Sequence, residues 1–423
     1  MISFSVQSFG CRVNQAEAFF WTEQLQEGGL RYEKDCFQSE LVIINSCTVT
    51  SRADRDVRKF VRSLLRLNPR ARVIVTGCYA ERAPQEWKEW PQLWRVYPNH
   101  CKEKIIPDIL SSLKATKVQK KGSYRARALV KIQDGCNYAC TFCIVPQVRG
   151  KSFSLRKEEI LTQVKKLLSQ GFREIVLTGI HICHYGLDLY PPTSLLELLK
   201  EAERLEGLGR IRLSSLDPRL LPSSLVNHLV HSQKICPHFH LSLQSGSNRI
   251  LTRMGRKIKV TRYQEIISYF RQKLPNASLG ADIIAGFPGE SEEDFAQTYR
   301  FLDNSALTYF HVFSYSPRPG TPAATWPQVS EKVKRYRTKC LRSLSARKNF
   351  EFRRAFLGKE LEAVVIKKSK KEAQLLTSNY IKVLSPVCPQ PEGEVARVKI
   401  TDVSFQQTRG KIIFPKVNRA IYR

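Results

Sequence analysis

The residues Cys136-Asn137-Tyr138-Ala139-Cys140-Thr141-Phe142-Cys143 bring three cysteines into one short stretch, separated by three residues and then by two. The stretch directly follows an apolar run at 128–132 that is typical of a buried β-strand. Three thiolates at this spacing can hold three irons of a [4Fe–4S] cluster, and the fourth iron, without a protein ligand, can bind a substrate. A zinc site would need a fourth Cys or His nearby, and the stretch contains none.

Further runs that are typical of strands follow this loop, with helical stretches in most of the intervals. Together with the first run there are six, at 128–132, 174–177, 210–213, 238–243, 279–284 and 309–313. Six such units predict a partial or complete β/α barrel. In a barrel the active site lies at the carboxyl ends of the strands, which is where the cysteine loop falls.

A second set of cysteines lies upstream and is dispersed. Apolar runs at 3–6, 41–44 and 72–75 are each followed by a polar helical stretch, which predicts an open parallel α/β sheet. Cys11, Cys47 and Cys78 each lie just past the carboxyl end of one of these strands. Because such ends line one edge of an open sheet, the three thiols can converge to form a ligand site. The alternative is three unrelated buried cysteines.

The chain is therefore predicted to be an α/β protein of three parts. Residues 1–113 form the N-terminal domain, 114–124 a basic linker, 125–356 the barrel domain and 357–423 a C-terminal domain. Short β-rich runs at 360–366, 373–377, 394–401 and 411–414 predict that the last domain is a small all-β barrel or sandwich.

Composition limits the function. The 423 residues carry a formal charge of +31, which favours a nucleic-acid partner, and 42% of them are hydrophobic, which excludes a disordered chain. No apolar run is long enough for a transmembrane helix, so we expect a cytoplasmic protein with no membrane partner. We also expect the protein to be a monomer. Residues 331–354 carry ten basic and two acidic residues, and predict an amphipathic helix that buries Val333, Tyr336, Cys340 and Leu344 and presents a cationic outer face.

The cysteine loop resembles that of the radical S-adenosylmethionine family. The resemblance implies that Cys136, Cys140 and Cys143 hold a [4Fe–4S] cluster whose open iron binds S-adenosylmethionine, and that one electron cleaves this cofactor to a 5′-deoxyadenosyl radical. Phe142, just before the third cysteine, fits the family pattern.

The segments 10–17, 45–50 and 77–80 resemble the ligand motifs of the methylthiotransferase branch of that family. This implies a second [4Fe–4S] cluster at Cys11, Cys47 and Cys78, which carries the sulfur to be inserted. The residues from 357 onward are similar to the small RNA-binding barrel called the TRAM domain.

The resemblance also implies cofactor-binding residues at the strand ends. Segment 282–290 contains Gly286, segment 241–247 contains Gln244, and segment 212–215 contains Ser214. Many radical enzymes have a Gly-Gly-Glu motif after the second strand, whereas this chain has Leu177-Thr178-Gly179-Ile180-His181, with Gly179 as the cofactor-binding candidate.

Members of the branch modify isopentenyladenosine or threonylcarbamoyladenosine in tRNA, or an aspartate of a ribosomal protein. A +31 chain would repel a basic ribosomal protein and attract the tRNA anticodon loop. Segments 10–15, 78–81 and 174–181 resemble the threonylcarbamoyladenosine subgroup, with the isopentenyladenosine activity as the alternative. An external flavodoxin- or ferredoxin-like electron donor is implied. A non-catalytic iron–sulfur protein that binds RNA is the alternative from another class.

Overall fold

The computed structural model describes residues 1–113 and 126–413, so the predicted linker at 114–124 lies outside the described residues. The N-terminal part is a parallel sheet with the strand order β2-β1-β3-β4-β5. Its strands are β1 (Ser3–Ser8), β2 (Arg31–Tyr32), β3 (Leu41–Ser46), β4 (Arg72–Gly77) and β5 (Arg95–Tyr97). Its helices are α1 (Arg12–Glu27), α2 (Ser51–Leu67), α3 (Cys78–Arg82), α4 (Pro84–Lys88) and α5 (Ile105–Ser112). The open parallel sheet is as predicted, and the short strands β2 and β5 were not predicted.

The central part contains the six predicted barrel strands. They are β6 (Ala128–Lys131), β9 (Glu174–Thr178), β10 (Arg210–Leu213), β11 (His238–His240), β12 (Ser278–Ala285) and β13 (Tyr309–Ser314), and a small hairpin is formed by β7 (Gln133–Asp134) and β8 (Phe153–Ser154). Helices alternate with them: α6 (Val145–Arg149), α7 (Lys157–Ser169), α8 (Leu195–Glu203), α9 (Ser223–His231), α10 (Asn248–Arg253), α11 (Val260–Lys273) and α12 (Glu292–Asn304).

The barrel is open. Its strands form two parallel sheets, β10-β9-β6 and β11-β12-β13, which isolated bridges join between Ile211 and Ile235 and between Leu216 and Leu241. Within residues 1–113 and 126–413, no pairing closes β13 onto β6. The prediction of a partial barrel is therefore confirmed.

One face of the barrel strands is apolar and lies under the helices, where residues such as Val130, Ile175 and Ile283 form the main core. Because side chains alternate along a strand, the other face lines the lumen. Helix α1 of the N-terminal part packs on this inner face, with Ala16 against Leu129 and Val176. The N-terminal part therefore fills one side of the open barrel.

The C-terminal part is a closed five-stranded barrel, as predicted. Its strand order is β14-β15-β16-β18-β17, and the strands are β14 (Glu360–Lys368), β15 (Ala373–Thr377), β16 (Lys382–Ser385), β17 (Val395–Val403) and β18 (Thr408–Ile413). Helix α13 (Glu331–Arg354) precedes it and has the predicted bounds. No described helix is long and apolar enough to cross a membrane.

The buried face of α13 differs from the prediction. Tyr336 is exposed, whereas Lys334 and Arg337 are buried. Lys334 pairs with the exposed carboxylate of Glu331, and Arg337 donates to the buried carboxylate of Glu290 at 2.8 Å, so carboxylate contacts compensate both charges. The cationic outer face is consequently smaller than expected, because two of its predicted cations point inward.

Candidate functional site

Three cysteines meet at one edge of the N-terminal sheet. Cys11, Cys47 and Cys78 follow β1, β3 and β4, which are adjacent in the sheet. Gly10 has a φ of 86°, and a Cβ atom at this position would overlap the Sγ atom of Cys47. A glycine is therefore needed for the chain carrying Cys11 to approach Cys47 this closely.

The thiols of this group influence one another electrostatically. Burial, with a smaller contribution from the charges of Cys11 and Cys78, raises the pKa of Cys47 to about 12. Burial likewise raises the pKa of Cys11, with an added contribution from Cys78. These buried thiols stay protonated when no metal is bound. A metal cluster would displace their protons on binding, because only thiolates ligate the metal. The chemistry of this donor set therefore fits an iron–sulfur cluster.

Arg149, at the end of α6, connects this thiol group to the barrel. Its Nε atom donates to Cys78 Sγ at 3.2 Å, and its Nη1 atom donates to both carboxylate oxygens of Asp134 at 2.8 Å. Glu17 on α1 accepts from it as well, at 3.2 Å. The Arg149 side chain is only 2% exposed, so these contacts are buried. The cationic Arg149 would offset the negative charge of thiolates at the sheet edge.

The second thiol group lies in the loop after β6 and β7. Cys136 donates its backbone N–H to Gly150 at 3.1 Å, and Cys143 donates to the carbonyl of Cys140 at 3.0 Å. Burial, with a smaller contribution from the neighbouring charges of Cys140 and Cys136, raises the pKa of Cys143 to about 12. The three thiols are thus close enough to repel one another when ionised, and this set also fits a cluster.

The predicted cofactor-binding residues differ in how directly the structure connects them to this loop. Phe142 packs edge-on against Phe287, with ring centroids 6.4 Å apart, and Phe287 follows Gly286. Gly286 has a φ of 71° and donates its N–H to Glu290 at 2.8 Å. The glycine is required by this backbone conformation, and Phe142 ties the cysteine loop to the same turn.

Two of the remaining candidates carry polar groups without a partner. Among the described residues, the buried hydroxyl of Ser214 has no hydrogen-bond partner. Gln244 has a φ of 86°, and its backbone bonds to Asp282 and Ile284 while its side chain is half-buried. Gly179 is different, because a Cβ atom there would come within 2.9 Å of Gln133. Its small size is thus explained by packing against Gln133.

The sequence reasoning missed a network of charges beside the cysteine loop. Asp217 accepts from His181 at 3.1 Å and from Arg219 at 2.6 Å, and Arg256 donates to it at 3.3 Å. Arg219 also lies 3.8 Å from the ring centroid of Tyr138, which is inside the loop. Burial alone would raise the pKa of Asp217, but His181 and Arg219 lower it far below the usual range. Asp217 and Arg219 are two residues apart, but no local spacing connects them to His181 or Arg256, so only the fold reveals the network.

Family comparisons agree with this architecture. Residues 130–302 match the Radical SAM superfamily, and residues 3–96 match the uncharacterized protein family UPF0004. The radical S-adenosylmethionine methyltransferase TsrM from Kitasatospora setae, solved with cobalamin and a [4Fe–4S] cluster, aligns with a TM-score of 0.56 at 14% identity, covering 76% of each chain. The fold and the cysteine loop therefore define a radical S-adenosylmethionine enzyme, a class whose members bind a [4Fe–4S] cluster and S-adenosylmethionine.

Closer relatives identify the branch. The threonylcarbamoyladenosine tRNA methylthiotransferase MtaB of Aquifex aeolicus is 38% identical over 89% of this chain and 95% of its own length. MtaB of Bacillus subtilis is 34% identical over 98% and 97%. A tRNA-2-methylthio-N(6)-dimethylallyladenosine synthase of Corynebacterium diphtheriae is 33% identical over 86% and 75%. The chain belongs to the methylthiotransferase family of radical S-adenosylmethionine enzymes.

Proposed function

We propose that this protein methylthiolates C2 of N6-threonylcarbamoyladenosine next to the anticodon of tRNA, using two S-adenosylmethionine molecules and two [4Fe–4S] clusters. The observation that carries the proposal is the presence of two separate thiol groups in one chain, joined through the buried Arg149. Relatives named for this activity are 34–38% identical over most of the chain, which supports the choice of nucleoside.

Each thiol group has its own task. Cys136, Cys140 and Cys143 would hold one cluster, and Cys11, Cys47 and Cys78 would hold the other. A cluster at Cys136, Cys140 and Cys143 would supply the electron that cleaves S-adenosylmethionine to methionine and a 5′-deoxyadenosyl radical. A cluster at Cys11, Cys47 and Cys78 would supply the sulfur that is inserted. The electron comes from an external flavodoxin- or ferredoxin-like donor.

The chain's own residues orient the reactants. The hydroxyl of Ser214 and the side-chain amide of Gln244 offer neutral hydrogen bonds at the ends of β10 and β11. The left-handed backbone of Gly286 lets the main chain approach a flat cofactor closely. Arg149 fixes the position of Cys78 relative to the cysteine loop, because α6 begins two residues after Cys143.

The positive charge favours tRNA over a protein substrate. The residues from 357 onward contain thirteen Lys or Arg and six Asp or Glu, and the whole chain carries +31. Such a surface binds phosphates, and single-stranded loops are where a protein can reach the edges of bases. The anticodon loop is therefore the expected substrate, and the enzyme is expected to act as a cytoplasmic monomer.

Mass analysis of nucleosides tests the proposal. Transfer RNA carrying threonylcarbamoyladenosine would be incubated anaerobically with reconstituted enzyme, a reductant and S-adenosylmethionine, then digested. We expect the methylthio mass on threonylcarbamoyladenosine. Replacing Cys136, Cys140 and Cys143 by Ala should abolish both the product and 5′-deoxyadenosine release, whereas replacing Cys11, Cys47 and Cys78 should abolish the product alone. Each triple variant should retain about half of the iron.

The control is Cys340→Ala, which changes a cysteine of α13 outside both groups and should leave iron content and product unchanged. A methylthio group found only on isopentenyladenosine would overturn the nucleoside assignment but not the reaction type. No methylthio nucleoside, despite full iron loading, would overturn the enzymatic function.

A further inference from the structure

Polar side chains line one side of the lumen of the central barrel. His240 on β11, Asp282 on β12 and His311 on β13 lie on three adjacent strands of one sheet. Phe239 and Ile283, which alternate with them, belong to the core under the helices, so the polar side chains point into the lumen. Barrel interiors are usually filled with branched apolar side chains, and this polar lumen is therefore a candidate ligand site.

The imidazoles of His240 and His311 both face the carboxylate of Asp282. His240 Nε2 lies 3.1 Å from one carboxylate oxygen, and His311 Nδ1 lies 3.4 Å from the other. One ligand atom from each of the three residues lies within 4.8 Å of the others. Two ligands that each lie about 2.0–2.2 Å from one metal ion are about 3.0–3.5 Å apart, so both distances to Asp282 are those of a metal site.

His240 has the orientation that a metal ligand needs. Its Nδ1 atom hydrogen-bonds to the hydroxyl of Tyr309 at 3.2 Å, and this hydroxyl also hydrogen-bonds to Nε2 of His238 at 2.8 Å. A hydroxyl carries one proton, so when Tyr309 donates to His238 it accepts from Nδ1–H of His240. Nε2 of His240 is then free of a proton and can bind a metal. Histidine ligands of metals are typically fixed through the other ring nitrogen in this way.

The guanidinium groups of this region contact a different part of the lumen. Arg12 donates to the hydroxyl of Tyr380, and Arg212 packs over the Tyr380 ring at 5.2 Å from its centroid. The Tyr380 ring itself stacks on His238, with a centroid distance of 4.0 Å. The charged group in contact with both imidazoles of the cluster is the carboxylate of Asp282, which attracts a cation.

The donor set indicates which ions the site would take. Two imidazoles and one carboxylate suit divalent transition metals such as Zn²⁺ and Fe²⁺, whereas Mg²⁺ and Ca²⁺ prefer ligand sets made of oxygen. Three protein ligands leave at least one position of the ion open to water or to another ligand. The His311 side chain is 59% exposed, so solvent reaches this end of the cluster and an ion can enter from there.

The cluster is separate from the sites described above. It contains no cysteine, so it shares no ligand with either thiol group. Asp282 precedes Gly286 by four residues along β12, which corresponds to about 13 Å in a β-strand. The cluster therefore lies deeper in the lumen than the turn at Gly286.

We propose that His240, Asp282 and His311 form a third metal site, which binds one divalent transition-metal ion in the lumen. The ion links β11, β12 and β13, and Tyr309 orients its ligand His240. This inference does not depend on which nucleoside the enzyme modifies. The alternative is that Asp282 pairs with the two histidines and no metal binds.

Equilibrium dialysis against Zn²⁺ tests the site. Cluster-loaded enzyme would be dialysed anaerobically at several zinc concentrations, and zinc and iron would be measured in the same samples. We expect the wild type to bind one zinc ion more per chain than the double variant His240→Ala/His311→Ala, with the same iron content. Asp282→Asn and Tyr309→Phe should each weaken zinc binding about tenfold or more, because they remove a ligand and the hydroxyl that orients one.

His228→Ala is the matched control, because it breaks a histidine–carboxylate pair with Glu203 on another part of the barrel and should leave zinc binding unchanged. His311→Ala alone changes an exposed side chain, so it should fold as the wild type does and still lose the zinc. Circular dichroism and iron content verify the fold of each variant.

X-ray absorption at the zinc edge identifies the ligands. We expect nitrogen and oxygen ligands at about 2.0–2.2 Å and no sulfur at about 2.3 Å. A sulfur shell would overturn the proposal, because the zinc would then lie at the thiol groups. Equal zinc binding by the wild type and the double variant would also overturn it, since the histidines would then serve only as partners of Asp282.

Discussion

Arg149 is a buried cation whose partners come from three distant parts of the chain. Burial alone would lower the pKa of Arg149, but Cys78, Glu17 and Asp134 raise it well above its usual range. Lys102 and Lys131 share Glu17 with it, at 2.6 Å and 3.2 Å. At the scale of single residues, this charge cluster fixes the positions of α1, of the thiol group formed by Cys11, Cys47 and Cys78, and of the cysteine loop relative to one another.

Removing this cation should therefore destabilise the protein strongly. Arg149→Met leaves Asp134 with Lys131 alone and Glu17 with Lys102 and Lys131, and we expect the free energy of unfolding to fall by about 3 kcal/mol. Urea unfolding of the full chain, followed by circular dichroism, measures the change. The control Arg347→Met breaks an exposed pair and should cost about 1 kcal/mol or less. Equal midpoints for the two variants would show that the Arg149 cluster contributes no net stability.

At the scale of secondary-structure elements, β9 and β10 connect the central barrel to the C-terminal one. Glu174, at the start of β9, accepts from Arg210 at 2.6 Å and from Arg212 at 2.9 Å. The same two arginines donate to carbonyls at the end of β15, those of Leu376 and Thr377, at 3.1 Å. The C-terminal barrel is thus attached through a buried carboxylate that both arginines share.

This carboxylate makes the attachment dependent on pH. Burial alone would raise the pKa of Glu174, but Arg212 and Arg210 lower it to about 2. A lowered pKa in the folded state stabilises the protein above the unfolded value of about 4.3, and the stabilisation is lost as the pH falls toward 2. At pH 7, Glu174→Gln should therefore reduce the free energy of unfolding by about 3 kcal/mol.

Thermal unfolding at pH 7 and at about pH 3 measures this effect. The difference between Glu174→Gln and the wild type should be large at pH 7 and should shrink in acid. Glu293→Gln serves as the control, because Glu293 is 67% exposed in its pair with Arg300. A difference for Glu174→Gln that does not change with pH would contradict the assigned role of its charge.

Periodicity predicted the long elements and failed for the short ones. All six barrel strands and both ends of α13 were located because each lies in an apolar or periodic run of at least four residues of the sequence. The strands β2, β5 and β16 have two to four residues and carry too little pattern. Strand β11 ends at His240, earlier than predicted, and beyond it the pairing continues only as isolated bridges at Leu241 and Gln244.

The two cysteine groups were visible in the sequence because strand ends and close spacing determine where they lie. The polar lumen was not. It depends on contacts such as that of Arg12 with Tyr380, which are 368 positions apart. Charge alone also misassigned one face of α13, since Lys334 and Arg337 are buried, and Arg337 pairs with Glu290, a carboxylate that sequence spacing does not reveal.

At the scale of the whole molecule, side-chain contacts join the three parts. Arg318, which follows β13, donates to Asp54 at 2.6 Å and to Thr48 at 2.8 Å in the N-terminal part. At the other end of α13, Phe350 stacks on Phe405 of the C-terminal part with a centroid distance of 4.3 Å. Helix α13 therefore bridges the barrel and the C-terminal part.

The net charge of +31 leads to a prediction about tRNA binding by the whole molecule. Binding through phosphates releases counter-ions, so the affinity should fall steeply as the salt concentration rises. Replacing the exposed Lys332 and Arg335 of α13 by Gln should make the slope of log affinity against log salt shallower by about 1–2.

The matched control replaces Lys165 and Lys166 of α7, which are also exposed but lie near acidic residues such as Glu27, the partner of Lys166 at 2.7 Å. That change should leave the slope unaltered, because local acidic groups already compensate these cations. Filter binding of unmodified tRNA at several salt concentrations measures both slopes, and equal changes in the two double variants would mean that the RNA contacts the protein without preference for the α13 face.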